Sequence, residues 1–114
     1  MATDWSERIR VADMSDEPEF TEELRQLTQL VEKKSDDKHV VLDLSEVSYV
    51  NSSHLAMLLR LRRELTEAQR RLHICGTRDP VWSVMTLTGL DKVFDFFDNK
   101  VTAIASLQLD ETGV

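Results

Sequence analysis

The run His39-Val40-Val41-Leu42-Asp43-Leu44 constrains this chain more than any other segment. Its apolar residues follow one another with almost no alternation. A strand with one wet face alternates apolar and polar residues. A continuous apolar run is instead the pattern of a strand covered on both faces, as in a parallel sheet flanked by helices. The next twenty-odd residues fit that pattern. A polar turn spans Ser45 to Asn51, and the pair Ser52-Ser53 opens a segment to about Gln69. There Leu55, Met57, Leu58, Leu59, Leu61 and Leu65 form a broad apolar arc, opposite Arg60, Arg63, Glu64 and Glu67. That spacing is helical. Arg62 interrupts the arc and is expected to run its stem along it with the head in water.

The same alternation continues along the chain. Ser6 to Met14 carries Ile9 and Val11, a weak strand signal, and Ser15 to Glu19, with Pro18, reads as a turn. From Phe20 to about Lys34 the apolar residues Phe20, Leu24, Leu27, Leu30 and Val31 recur every three or four positions. Ser35, Asp36 and Asp37 are expected to stop that helix. Leu72 to Cys75 is a second buried strand, closed by Gly76. A helix begins near Asp79-Pro80, where proline suits the first turn, and ends at Gly89. Val93 to Phe97 reads as a last strand and Val101 to Leu107 as a closing helix. Strands joined through helices pair in parallel by right-handed crossovers. The expected product is α/β: a small, mostly parallel sheet of about four strands with four helices packed mainly on one face. One domain covers 1–114, with its core at about 38–107, a short N-terminal strand and turn in 1–20, and a polar tail at 108–114 that frays. If the helices share one face, the sheet's edge or its opposite face stays partly open to a partner.

Charge and composition remove several function classes. The net charge is −7, with thirteen acidic against six basic side chains in residues 1–51 and eight of each in the remainder. Such a chain repels phosphate backbones, so direct nucleic-acid binding is not expected. Arg60, Arg62, Arg63, Arg70 and Arg71 lie among Glu64 and Glu67 and read as a solvated mixed-charge face. No apolar run reaches the ~20 residues of a membrane span, so no membrane insertion is expected. The opening MATDWSERIRV has no apolar core of a secretory signal. With a single cysteine, Cys75, the default location is the cytoplasm.

Catalysis finds little footing. The three glycines never cluster, so no phosphate-cradling loop forms from them. His39, His54 and His73 fall in different elements with no metal-ligand spacing to Cys75, and neither metal nor cofactor is expected. Cys75, between Ile74 and Gly76, reads as an inert core thiol. Asp43 stands near the carboxyl end of the central strand. It either serves a functional site there or bonds backbone amides of the next turn, and both readings stay open. Asn51-Ser52-Ser53 matches a glycosylation acceptor, a chance match without a secretory route. All three residues also favour a helix N-cap, and read locally the plain cap is the simpler account. Yet a helix N-terminus stabilises negative charge, so a phosphate there harms the fold little while burdening any interface across it.

The segments VVLDLSEVSYVNSSHLAMLLRLRREL, RLHICG and VMTLTGLDKVFDFFDN, over roughly Val40 to Ala105, together resemble a STAS domain of the anti-sigma factor antagonist family. That family has a strand ending in D-L-S and an aspartate-serine-serine/threonine-glycine start to a leucine-rich helix. A T-G-L-D-x-x-F segment comes later, matched here by Thr88, Gly89, Leu90, Asp91 and Phe94. The resemblance implies no catalytic activity. It implies binding to an anti-sigma factor that is also a serine kinase of the histidine-kinase-like ATPase type. Phosphorylation of the antagonist's serine blocks that binding and a serine phosphatase restores it. The matching acceptor is Ser52, with Ser53 as second choice. The implied partner surface takes in Asp43, Ser45, Tyr49, Asn51, Ser52, Ser53, His54 and Met57. The chain departs from the pattern at Asn51, where the family has aspartate, and at His54, where it has glycine and where a ring adds bulk. A different reading uses the same surface without phosphorylation, as an accessory or scaffold subunit docking on a transport ATPase or a signalling assembly.

Overall fold

A computed structural model of the protein describes residues 2–33 and 37–111. Five strands and four helices alternate along them: β1 (Ala2–Asp4), β2 (Ile9–Ser15), α1 (Glu19–Glu32), β3 (His39–Glu46), α2 (Ser52–Glu67), β4 (Leu72–Cys75), α3 (Asp79–Leu87), β5 (Asp95–Phe97) and α4 (Lys100–Glu111). A single 3₁₀ turn at Leu90–Lys92 leads into β5. The helix stop expected at Ser35 and Asp36, and the last three residues of the expected tail, lie outside the described residues.

The strands lie in chain order, β1-β2-β3-β4-β5. β1 is antiparallel to β2, and the other pairs are parallel. The apolar pattern predicts four strands, and β1 is the fifth. Ala2, Thr3 and Asp4 carry no apolar period. The ladder to Ala12, Val11 and Arg10 holds them, together with an Arg10 Nε–Asp4 Oδ1 pair at 3.0 Å.

Two cores account for the unbroken apolar run of β3. Val40, Leu42 and Leu44 face α1, α2 and α3, packing with Phe20, Leu24, Leu27, Leu58, Leu61, Leu65, Val81 and Met85. Val41 faces the other way, with Ile9, Val11 and Cys75, against Ala103, Ile104 and Leu107 of α4. Three helices thus share one face and α4 covers the other, so that face is not left open. Burial of each such aliphatic side chain stabilises the fold by about 1.5–3 kcal/mol. On α2 the buried residues are His54, Leu55, Leu58, Leu61 and Leu65. Leu59, which the sequence puts on the apolar arc, is 39% exposed instead. α4 also runs past Leu109, where the composition predicts a fraying tail.

The two strand histidines are satisfied inside the fold. His39 Nδ1 accepts from the Arg71 N–H at 3.0 Å. His73 Nδ1 lies 3.1 Å from the Ala103 carbonyl, with its ring stacked on Phe97.

Candidate functional site

The carboxyl ends of β2, β3 and β4 meet the N-termini of α1, α2 and α3 along one edge of the sheet, and the candidate residues gather there. β3 ends in a tight turn. The Ser45 N–H donates to Asp43 Oδ1 at 2.9 Å and the Val47 N–H to the Leu44 carbonyl at 3.0 Å. Asp43 therefore binds the backbone of the adjoining turn, and its side chain is only 14% exposed. Gly76, just past β4, makes room for this. A Cβ there would lie 2.9 Å from Asp43 Oδ1, and its φ of +68° is one that side chains rarely adopt. Val47 and Val50 are buried and pin the loop down, while Ser45, Ser48 and Tyr49 stand outside it, Tyr49 at 60% exposure.

Asn51 caps α2. Its backbone is extended, and its Oδ1 accepts from the His54 N–H at 2.9 Å. In return the Asn51 N–H donates to His54 Nδ1 at 3.2 Å. This reciprocal box satisfies two backbone donors at once. An accepting Nδ1 leaves the proton on Nε2, which lies 3.2 Å from Glu17 Oε2. The His54 ring is 3% exposed and sits 4.6 Å from the Phe20 ring. The sequence suggests added bulk on the surface at this position, but the ring turns inward because a carboxylate and an aromatic ring receive it there.

The cap frees the serines. Ser52 and Ser53 occupy the first two positions of α2, and both are exposed. Neither hydroxyl has a hydrogen-bond partner among the described residues. Met57, four residues on from Ser53, is half-buried and borders a groove between α1 and α2 with Leu24, Thr28 and Arg60.

Two residues that the sequence does not single out, Asp16 and Glu17, tie this edge together. Asp16 accepts from the Ser48 N–H at 2.9 Å and the Ser48 Oγ–H at 2.6 Å. These bonds, with one from the Tyr49 N–H and the nearby Arg78 charge, hold its carboxyl below the usual aspartate range. Glu17 accepts from Thr21 N–H at 2.7 Å and Thr21 Oγ–H at 2.5 Å, so it caps α1 from outside. Those bonds and His54 lower its carboxyl as well. Asp16 and Glu17 directly before Pro18 and a helix are a legible capping signal. The bond from Asp16 to Ser48, 32 residues away, has no local signal.

On the α4 side, Lys100 Nζ bonds Asp13 Oδ1 at 2.6 Å and lies 3.7 Å from Asp43 Oδ2. The Asp13 bond raises the Lys100 ammonium above its ordinary value. Burial, reinforced by Asp43, pushes the Cys75 thiol up to about 12, so it stays protonated and unreactive at neutral pH.

A sequence profile described as the STAS domain matches residues 13–103. The chain belongs to the STAS domain family. Among curated relatives, it is 26% identical over 72 residues to the anti-sigma F factor antagonist of Paenibacillus polymyxa. That match covers 63% of this STAS chain and 62% of the relative. Among solved structures, an anti-sigma-factor antagonist (STAS) domain protein from Planctomyces limnophilus superposes with a TM-score of 0.80 at 18% identity, covering 95% of this chain and 97% of the other. The Bacillus cell fate determinant SpoIIAA, in its phosphorylated form, gives a TM-score of 0.74 at 14% identity, covering 94% and 97%. At those identities the superpositions show a shared fold. Among the described residues no helix is long and apolar enough to cross a membrane.

Proposed function

We propose that this STAS domain is an anti-sigma factor antagonist, cytoplasmic and without catalysis of its own. It binds an anti-sigma factor that is also a serine kinase of the histidine-kinase-like ATPase type. Phosphorylation of Ser52 breaks that complex, and a serine phosphatase restores it. One observation carries the reading: Ser52 is exposed at the first position of α2 while Asn51 and His54 do the capping. The hydroxyl is unused by the fold, so a phosphate costs the fold nothing it needs, and the helix N-terminus favours the charge. Ser53 shares that exposure and is the second acceptor. The docking surface comprises Ser45, Tyr49, Ser52, Ser53 and Met57. Asp43, Asn51 and His54 act from beneath by fixing the turn and the cap. Tyr49 supplies the large, rigid contact area typical of interface anchors.

The test is peptide mapping of the protein from its own host, with and without phosphatase, then binding of Ser52→Ala and Ser52→Glu variants to the host's anti-sigma factor kinases. Phosphate on Ser52, with tight binding by Ser52→Ala and at least tenfold weaker binding by Ser52→Glu, supports the switch. No phosphate under any growth condition and equal affinities overturn it, leaving constitutive docking on a transport ATPase or signalling assembly.

A further inference from the structure

Arg78 occupies a position from which the fold gains nothing. It is the N-cap of α3, with an extended backbone at φ −77° and ψ 158°. Serine, threonine, aspartate or asparagine suit such a position, because a side-chain oxygen accepts from a free N–H of the first turn. Arginine has no acceptor to offer, and α3 starts without a side-chain cap. The positive end of the helix dipole also meets a positive side chain there. Arg78 is exposed, and its guanidinium makes no hydrogen bond or ion pair among the described residues. Its charge reaches the Asp16 carboxylate. That carboxylate is already committed to the N–H and hydroxyl of Ser48 and to the Tyr49 N–H. Asp16 thus brings together an unpaired guanidinium and a turn whose Tyr49 ring is 60% exposed.

We propose that Arg78 is a specificity-determining residue of the docking surface and pairs with a carboxylate of the anti-sigma factor kinase. The inference rests on the function proposed above and extends its surface from Tyr49 onto the start of α3. A local rule broken without structural return is expected at functional sites. Tyrosine and arginine are enriched among the side chains that anchor interfaces. A guanidinium meets a carboxylate through two parallel N–H bonds, so it selects a planar acid in a set orientation. A protein of net charge −7 repels nucleic acid and other polyanions. A single carboxylate on a protein that docks over Tyr49 escapes that repulsion and completes the missing pair.

The test measures two quantities on the full chain: melting temperature, and affinity for each purified anti-sigma factor kinase of its host. Arg78→Ser supplies a capping hydroxyl and removes the misplaced charge. The expected variant melts no lower than the wild type yet binds at least tenfold more weakly. Arg78→Lys keeps the charge without the two-pronged geometry and also binds more weakly than the wild type. Arg78→Glu abolishes binding, and one Asp or Glu to Arg change on the kinase surface restores it, which identifies the carboxylate. A lower melting temperature in Arg78→Ser shows a residue that serves the fold and overturns the proposal. An unchanged affinity, or no rescue of Arg78→Glu by any acid-to-arginine change, overturns it too. If the wild type binds no kinase, the proposed function fails and this inference with it. If Ser52→Glu loses binding while Arg78→Ser binds like the wild type, this inference fails alone.

Discussion

The cap of α2 gives the most direct quantitative test of how this site is built. Asn51→Ala removes the Oδ1 that accepts from the His54 N–H at 2.9 Å but leaves the Asn51 backbone donor and the His54 ring in place. Loss of an N-cap side chain costs about 1 kcal/mol. Asn51→Asp keeps the acceptor oxygen and adds a charge that the helix dipole favours, so it should stay within about 0.5 kcal/mol of the wild type. His54→Ala removes a ring 3% exposed, its contact with Phe20 and its bonds to Asn51 and Glu17. Truncation of a buried side chain of this size costs about 3 kcal/mol. The two changes loosen the same turn, so the double variant should fall short of the sum by about 0.5–1 kcal/mol. Urea unfolding monitored by circular dichroism resolves these differences. With a slope of roughly 1–3 kcal/mol/M, Asn51→Ala should lower the midpoint by about 0.3–1 M. An Asn51→Ala midpoint equal to the wild type would refute the cap, and an Asn51→Asp variant as weak as Asn51→Ala would show that the oxygen is not what matters.

Two further outcomes test the ground beneath the site. Gly76→Ala must hold a side chain at φ +68° with its Cβ 2.9 Å from Asp43 Oδ1, whereas Gly89→Ala at φ +76° meets nothing within 4 Å. The left-handed backbone alone costs about 1–2 kcal/mol, so Gly89→Ala should lose that much and Gly76→Ala clearly more; equal losses in thermal unfolding would remove the steric argument. The Asp16 carboxyl is held below its ordinary value, first by the Ser48 hydroxyl. Its stabilising effect is therefore complete above about pH 4 and is lost as pH falls through the lower folded value, so melting temperature between about pH 4 and 2 should fall more steeply for wild type than for Ser48→Ala. Parallel curves for the two proteins would sink that assignment.

The parts of the fold legible in the sequence are those set by local period. β3 declares itself through an unbroken apolar run because it is covered on both faces, and α2 through its serine start and leucine spacing. β1 is illegible because Ala2, Thr3 and Asp4 are held by a backbone ladder to β2, not by side chains of their own. The period of α4 identifies an apolar face but not which side of the sheet receives it, and that choice covers the face that would have stayed partly open had all the helices shared one side. At the site, the exposure of Ser52 and Tyr49 is a consequence of turn chemistry. The clamp of Asp16 on Ser48 joins residues 32 apart, which no local pattern encodes. The inward turn of His54 is hidden for the same reason, since it depends on Glu17 and Phe20.

The departures at Asn51 and His54 are physically one change. An aspartate with two small residues and a glycine after it can cap a helix, but that glycine has no side chain to answer the cap's own N–H. Here Asn51 and His54 answer each other, and the ring continues to Glu17, which in turn caps α1. The starts of two helices are thereby joined through one buried imidazole. A glycine at position 54 in this chain would break three contacts at once, with Asn51, Glu17 and Phe20. A phosphate on Ser52 would sit above that linkage without replacing any bond in it, so it would alter the surface a partner meets and leave the helix start intact. A phosphate on either serine and the fold would be separable here because the two residues that depart from the family pattern carry the structural load, and the two serines between them make no side-chain hydrogen bond among the described residues.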